Sequence, residues 1–168
     1  MPQIEFTTRE FKTSTSQYFG LHARRWHSRH WWIIAIPVTI LAIISILDIR
    51  WLMINIMLFL IVRPIIIGGI YFSYTLTPWA TKVIPPKYVT LVEGRDITLH
   101  FTPNELHPEP PEPSIIQWSR IREIYTQSKL LAIIIDDDEK ILPIPIDAIP
   151  EDIDIFRLAN SQTIKENT

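Results

Sequence analysis

The chain contains no cysteine and only four glycines among its 168 residues. Without thiols it can form no disulfide, no thiolate zinc or iron–sulfur site, and no cysteine nucleophile. Gly94 is the single glycine of the C-terminal part, which leaves no glycine-rich loop to cradle a phosphate chain. Walker loops, dinucleotide fingerprints, G-x-S-x-G elbows and H-E-x-x-H helices are missing as well. So is the basic stripe beside exposed aromatics that nucleic acids require. These absences predict a protein that is not an enzyme, holds no cofactor and has no nucleic-acid partner.

Charge is scarce in one long stretch. Between Trp31 and Tyr74 only Asp48, Arg50 and Arg63 are ionic. Trp31–Leu47 is an uncharged run of 17 residues, roughly 25 Å as a helix, at the short limit for crossing a bilayer. Trp51–Tyr74 follows with 24 residues, roughly 36 Å, enough to cross with tilt. Only Asp48-Ile49-Arg50 separates them, so the two must fold back as an antiparallel hairpin. The charged remainder of the chain is too small to bury both runs, which makes the lipid bilayer their expected surroundings. The 30 residues before the first run are too polar and too long for a signal-peptide lead-in, so that run is expected to be a retained anchor.

The flanks are basic and aromatic. Arg24, Arg25, Trp26, Arg29, Trp31 and Trp32 lie at one edge, Trp51 at the turn, and Tyr74 and Trp79 at the return, a pattern of membrane-interface residues. Residues 1–30 carry a balance of +3, suited to anionic headgroups. Lys82 and Lys87 follow the second run, whereas the turn offers only Arg50. The positive-inside rule then predicts a multi-pass topology with both termini cytoplasmic.

Within the second run, Arg63 and Asn55 are the intramembrane polar candidates. An arginine at mid-bilayer costs about 2.5–3.5 kcal/mol. Arg63 therefore marks a polar site within a helix assembly, or else it snorkels along a tilted or kinked helix. Pro64 beside it frees a carbonyl near Leu60. Gly68-Gly69 permits close helix approach, expected near Ile33–Pro37. His27 and His30 could share a helix face as metal ligands, but no third ligand is near, and interfacial anchoring is the simpler role.

Outside the apolar runs, Ile4-Glu5-Phe6-Thr7 alternates like a short strand. Thr7 or Thr8 suits the cap of a helix from about Arg9 towards Trp26. From Tyr88 onward the period is two. Residues 96–168 hold fourteen acidic and six basic side chains, a balance of −8. Strands are expected at Asp96–Thr102, Ser114–Ile124, Leu130–Ile135 and Lys140–Ile146. Pro108–Pro113 is a proline-rich loop that formally contains a P-x-x-P ligand, though a stiff connector suits its acids better. Asp136-Asp137-Asp138-Glu139 offers hard oxygen ligands, but between two apolar strands it reads first as a solvated turn. Pro150, Glu151 and Asp152 suit a first helical turn, with Ile153, Phe156 and Ala159 packing that helix on the sheet.

Ile116-Gln117-Trp118-Ser119-Arg120-Ile121-Arg122-Glu123-Ile124, followed by an apolar strand, an acidic turn and Ile141-Leu142-Pro143-Ile144-Pro145, resembles the YcxB-like family of bacterial membrane proteins. The motif residues are Trp118, Ser119, Ile121, Ile124, Pro143 and Pro145, and the Pro108–Pro113 stretch departs from the family pattern. The resemblance implies a bacterial inner-membrane protein. Its β domain would be a small antiparallel sheet or partial barrel closed by a C-terminal helix, similar to pleckstrin-homology-like domains. It supplies no activity and no catalytic residues.

The expected organisation is a strand and helix over 1–30, a transmembrane hairpin over 31–75, a connector over 76–95 and a β-rich domain over 96–168. The expected function is a membrane-anchored interaction or sensing module with a protein partner or a second copy. The alternative is a structural subunit of a larger membrane complex.

Overall fold

A computed structural model describes residues 3–103, 112–136 and 140–163, with side chains up to Ala159. Pro108–Pro111 of the proline-rich loop and Asp137, Asp138 and Glu139 of the acidic turn lie outside the described residues. The chain forms two compact units. One joins residues 1–18 to 78–168; the other is 19–77.

The first unit is built from two antiparallel sheets. β1 (Glu5–Thr7), β2 (Lys87–Val92), β3 (Asp96–Phe101) and β4 (Ser114–Gln117) form one, in that order. β5 (Ile121–Gln127), β6 (Leu130–Ile135) and β7 (Lys140–Pro145) form the other. Period two dictates the inward set: Val89, Leu91, Ile97 and Leu99 meet Leu131, Ile133, Leu142 and Ile144 in one core. β6 is buried along its whole length, as its unbroken Leu130–Ile135 apolar run requires of a central strand. Pro143 and Pro145 sit on β7, an end strand, where a missing N–H breaks no ladder on the far side.

The spacing of Ile121 and Ile124 is odd for a strand, since positions three apart face opposite ways. A bulge between Ile121 and Glu123 inserts Arg122 into β5 and turns both isoleucines inward. Trp118 occupies a short 3-10 turn between β4 and β5, buried in the core with its backbone N–H donating to the Arg95 carbonyl at 3.0 Å.

Both termini of this unit differ from expectation. The helix expected from Arg9 begins only at Thr15. Residues before it stay extended because their backbone is claimed elsewhere: Thr8 N–H donates to Val89, Arg9 N–H to Ala148, and Phe11 and Lys87 exchange two hydrogen bonds. Ser14 and Gln17 then form a reciprocal cap, with Ser14 N–H to Gln17 Oε1 at 3.0 Å and Gln17 N–H to Ser14 Oγ at 3.1 Å. At the other end α4 (Ile155–Thr163) is capped by Asp154, which accepts from Arg157 N–H at 3.0 Å. Starting there instead of at Pro150 rotates the apolar face. Leu158 enters the core, while Phe156 points out at 76% exposure.

The second unit contains most of α1 (Thr15–Leu47) and α2 (Arg50–Thr75), joined by Asp48-Ile49. Asp48 Oδ1 accepts from Arg50 N–H at 2.9 Å and closes the turn. Both helices are long and apolar enough to cross a membrane, and their most apolar windows contain no buried residue. Ile46 and Leu60 stand 84% and 66% exposed. Burying such side chains is worth roughly 1.5–3 kcal/mol each, and so extended an apolar surface suits a membrane better than water. α1 loses helical geometry at His30 (φ −121°, ψ 19°), between its basic stretch and its apolar run.

Candidate functional site

Within the helical unit, three contacts fix how α1 and α2 align. Phe19 meets Tyr71 edge-on with ring centroids 5.3 Å apart, and His22 stacks on Tyr74 at 4.4 Å. Asn55 Nδ2 donates to the Leu41 carbonyl at 2.9 Å and to Ser45 Oγ. Ser45 Oγ in turn donates to the same carbonyl at 2.9 Å. Asn55 thus forms a polar knot between the helices, where apolar surroundings leave few competing partners.

Arg63 lies between the aromatic contacts and the Asn55 knot and is exposed. It is central in its own helix. Its guanidinium lies 5.7 Å from the Phe59 ring. Gly68 and Gly69 have open space where a Cβ would stand, so within this chain they mediate no close helix contact.

Arg24, Arg25, Trp26 and Arg29 precede the break in α1. His30 Nδ1 lies 3.2 Å from the Trp26 carbonyl, and the two rings stack at 5.4 Å. Trp31 and Trp32 follow immediately and are exposed, as is Trp51 at the start of α2. Trp79 has a different setting. It belongs to α3 (Pro78–Val83), packs on the β core, and its indole N–H donates to the Ile141 carbonyl of β7 at 3.0 Å.

Lys87 is the residue sequence reasoning misjudged in setting. Counted there among flanking cations, it is wholly buried. Its Nζ donates to the Val83 carbonyl and, at 3.4 Å, to the Pro85 carbonyl, and it lies 4.8 Å from the Phe11 ring. Burial pulls its ammonium down to about 7. Carbonyls at the end of α3 are what a lysine donor satisfies, and no sequence pattern signals that arrangement.

Asp136 follows β6 with φ 54°. Arg120 grips it through two hydrogen bonds, Nε to Oδ1 at 2.8 Å and Nη2 to Oδ2, and Lys140 Nζ reaches Oδ2 at 3.2 Å. The Arg120 hydrogen bond is the main cause that holds the Asp136 carboxyl down to about 2. The first member of the acidic turn is therefore committed to an ion pair. Among the described residues no cluster of three or more His, Asp or Glu side chains could hold a metal.

A cleft of about 950 Å³ opens in the β unit between the N-terminal arm, the β5–β6 turn and the 3-10 turn after β7. Arg9, Lys12 and Lys129 bring three cations to it, and Glu10 and Asp147 two carboxylates. The β5–β6 turn is two residues long, with Ser128 at φ 50° and Lys129 at φ 63°. Left-handed geometry at both positions favours Asn-Gly, and most other residues with a Cβ pay about 1–2 kcal/mol there. The turn is nonetheless anchored, because Ile146 N–H donates to the Lys129 carbonyl at 3.0 Å. None of these cleft residues stood out in the sequence, since single charges in loops carry no period.

No family model, curated protein or solved structure matches the chain.

Proposed function

We propose that the chain is a membrane-anchored recognition module, with a non-enzymatic β domain carried on the cytoplasmic face by a two-helix transmembrane hairpin. One observation carries this reading. β1 lies before the hairpin and β2 after it, and they pair in register from Glu5↔Val92 to Thr7↔Thr90. Strands hydrogen-bonded to each other occupy one compartment. If the helices cross a bilayer, both of their outer ends emerge on the same side. The basic flank Arg24, Arg25 and Arg29 favours the cytoplasm for that side, although Lys87 is spent inside the fold. Two sheets with a terminal helix on β5 are compatible with the pleckstrin-homology-like partial barrel and the YcxB-like resemblance.

The cysteine-free chain suits the test. Single substitutions Asp48→Cys, Glu5→Cys and Glu151→Cys are exposed in intact cells to a membrane-impermeant maleimide. Labelling of Asp48→Cys alone, with the other two labelled only after permeabilisation, is the expected result. Labelling of Asp48→Cys and Glu151→Cys from one side would discard the reading.

A second reading, a structural subunit of a larger membrane assembly, draws support from the open space around Gly68 and Gly69, where another helix can approach closely. Crosslinking at Gly69→Cys in native membranes separates the two. A discrete crosslinked partner favours the subunit, and its absence the self-contained anchor.

A further inference from the structure

We propose that the cleft formed by Arg9, Lys12, Ser128 and Lys129 binds a phosphate ester whose alcohol carries further hydroxyl or amino groups. This rests on reading the β unit as a recognition module and names its ligand.

The cleft volume, about 950 Å³, falls at the upper end of the small-ligand range. Its cations come from separate places in the chain: Arg9 and Lys12 from the extended arm before α1, Lys129 from the β5–β6 turn. Convergence of three cations suits an anion of more than one charge, which a phosphate ester supplies near neutral pH. Ser128 and Gln17, also lining the cleft, add neutral donors. Glu10 and Asp147 accept hydrogen bonds and donate none when ionised, so a bare phosphate would meet repulsion there. A ligand bearing hydroxyl or amino donors beside its phosphate satisfies both sets.

The turn supplies the independent argument. Ser128 and Lys129 hold a left-handed conformation that glycine or asparagine would hold at lower cost. Lys129 is fixed at the cleft by its carbonyl bond from Ile146 N–H. Asn-Gly would serve the fold alone better here, so the Lys129 charge stands at the edge of the cavity at a conformational cost.

The ligand can be a soluble metabolite or a lipid headgroup, and hydrogen exchange on the full chain separates these. In phosphatidylcholine nanodiscs, ribose 5-phosphate is titrated at constant ionic strength, with ribose as the control. In parallel, nanodiscs containing phosphatidylglycerol are compared without soluble ligand. Slowed exchange at residues 127–130 and 9–12 with ribose 5-phosphate identifies a soluble source. The same protection with phosphatidylglycerol identifies a headgroup. Either supports the proposal provided ribose gives none.

The decisive variant is Ser128→Asn/Lys129→Gly, which improves the turn and removes the charge. Its expected behaviour is a higher thermal midpoint without ligand and at least a tenfold loss of affinity. Arg9→Gln and Lys12→Gln should each weaken binding severalfold. No protection from either ligand, or full protection in the Asn-Gly variant, overturns the proposal. A failure here with the cysteine-labelling pattern intact removes the ligand assignment alone, whereas wrong topology appears in the labelling and not in this assay.

Discussion

Thr8 and Val89 grip each other through two hydrogen bonds of 2.9 Å, although they stand 81 positions apart with the whole helical hairpin between them. Thr8 N–H donates to the Val89 carbonyl, and Val89 N–H donates to Thr8 Oγ1. Thr8 and Val89 are both buried, so water offers the backbone no substitute partner. Along the chain the hairpin is therefore inserted between two strands of one sheet.

Replacing Thr8 by valine keeps the volume and deletes the acceptor. The orphaned Val89 N–H should cost about 1–3 kcal/mol. Denaturation of the full chain in detergent, followed by the near-ultraviolet tryptophan signal beside the far-ultraviolet helical one, should show an earlier β-unit transition with the helical signal retained. An unchanged transition would mean that β1 docking adds nothing to the unit.

Stability should depend on Lys87 in alkaline solution. Its folded value is lowered to about 7 from 10.5, so between these two pH values the unfolded chain binds the additional proton. Stability contributed at this site therefore rises as pH climbs from about 7 to 10.5 and is level above that. Lys87→Met should flatten this rise, while losing the donor to the Val83 and Pro85 carbonyls. Midpoints measured from pH 7 to 10 on both proteins test it, and parallel curves would refute the assignment.

Asp136 should act in acid. Its carboxyl is held down to about 2, so its contribution is present above the ordinary carboxylate value near 3.8 and fades as pH falls towards 2. The pair is solvent-facing, which makes the effect small and sensitive to salt. Asp136→Asn should remove the dependence and tolerate the φ of 54°, whereas Asp136→Val should be clearly less stable at every pH because a branched side chain resists that backbone.

Asn55→Leu should loosen the hairpin, because both interhelical hydrogen bonds leave with the amide. The expected cost is about 0.6–1.7 kcal/mol, readable by steric trapping in bicelles. Arg63→Leu should leave insertion intact and hairpin stability within about 0.5 kcal/mol, as befits an exposed side chain. A larger loss for Arg63→Leu than for Asn55→Leu would point to a buried polar role for the arginine.

The sequence by itself determined the two apolar helices, their antiparallel return within Asp48-Ile49-Arg50 and the alternating strands, because each depends on residues close together in the chain. Charge-free runs make helices wherever water is absent, and period two makes strands with one inward face. Even the start of α1 had a local signature in Ser14 and Gln17, overshadowed by the threonines before it. Only the tertiary structure decided which strand receives β1, since many registers suit a three-residue strand and the right one lies beyond the hairpin. It alone made Lys87 an interior donor rather than a surface cation, because burial is set by neighbours from other segments. It alone gathered Arg9, Lys12 and Lys129 at one cleft, since no local pattern links an extended arm to a distant turn.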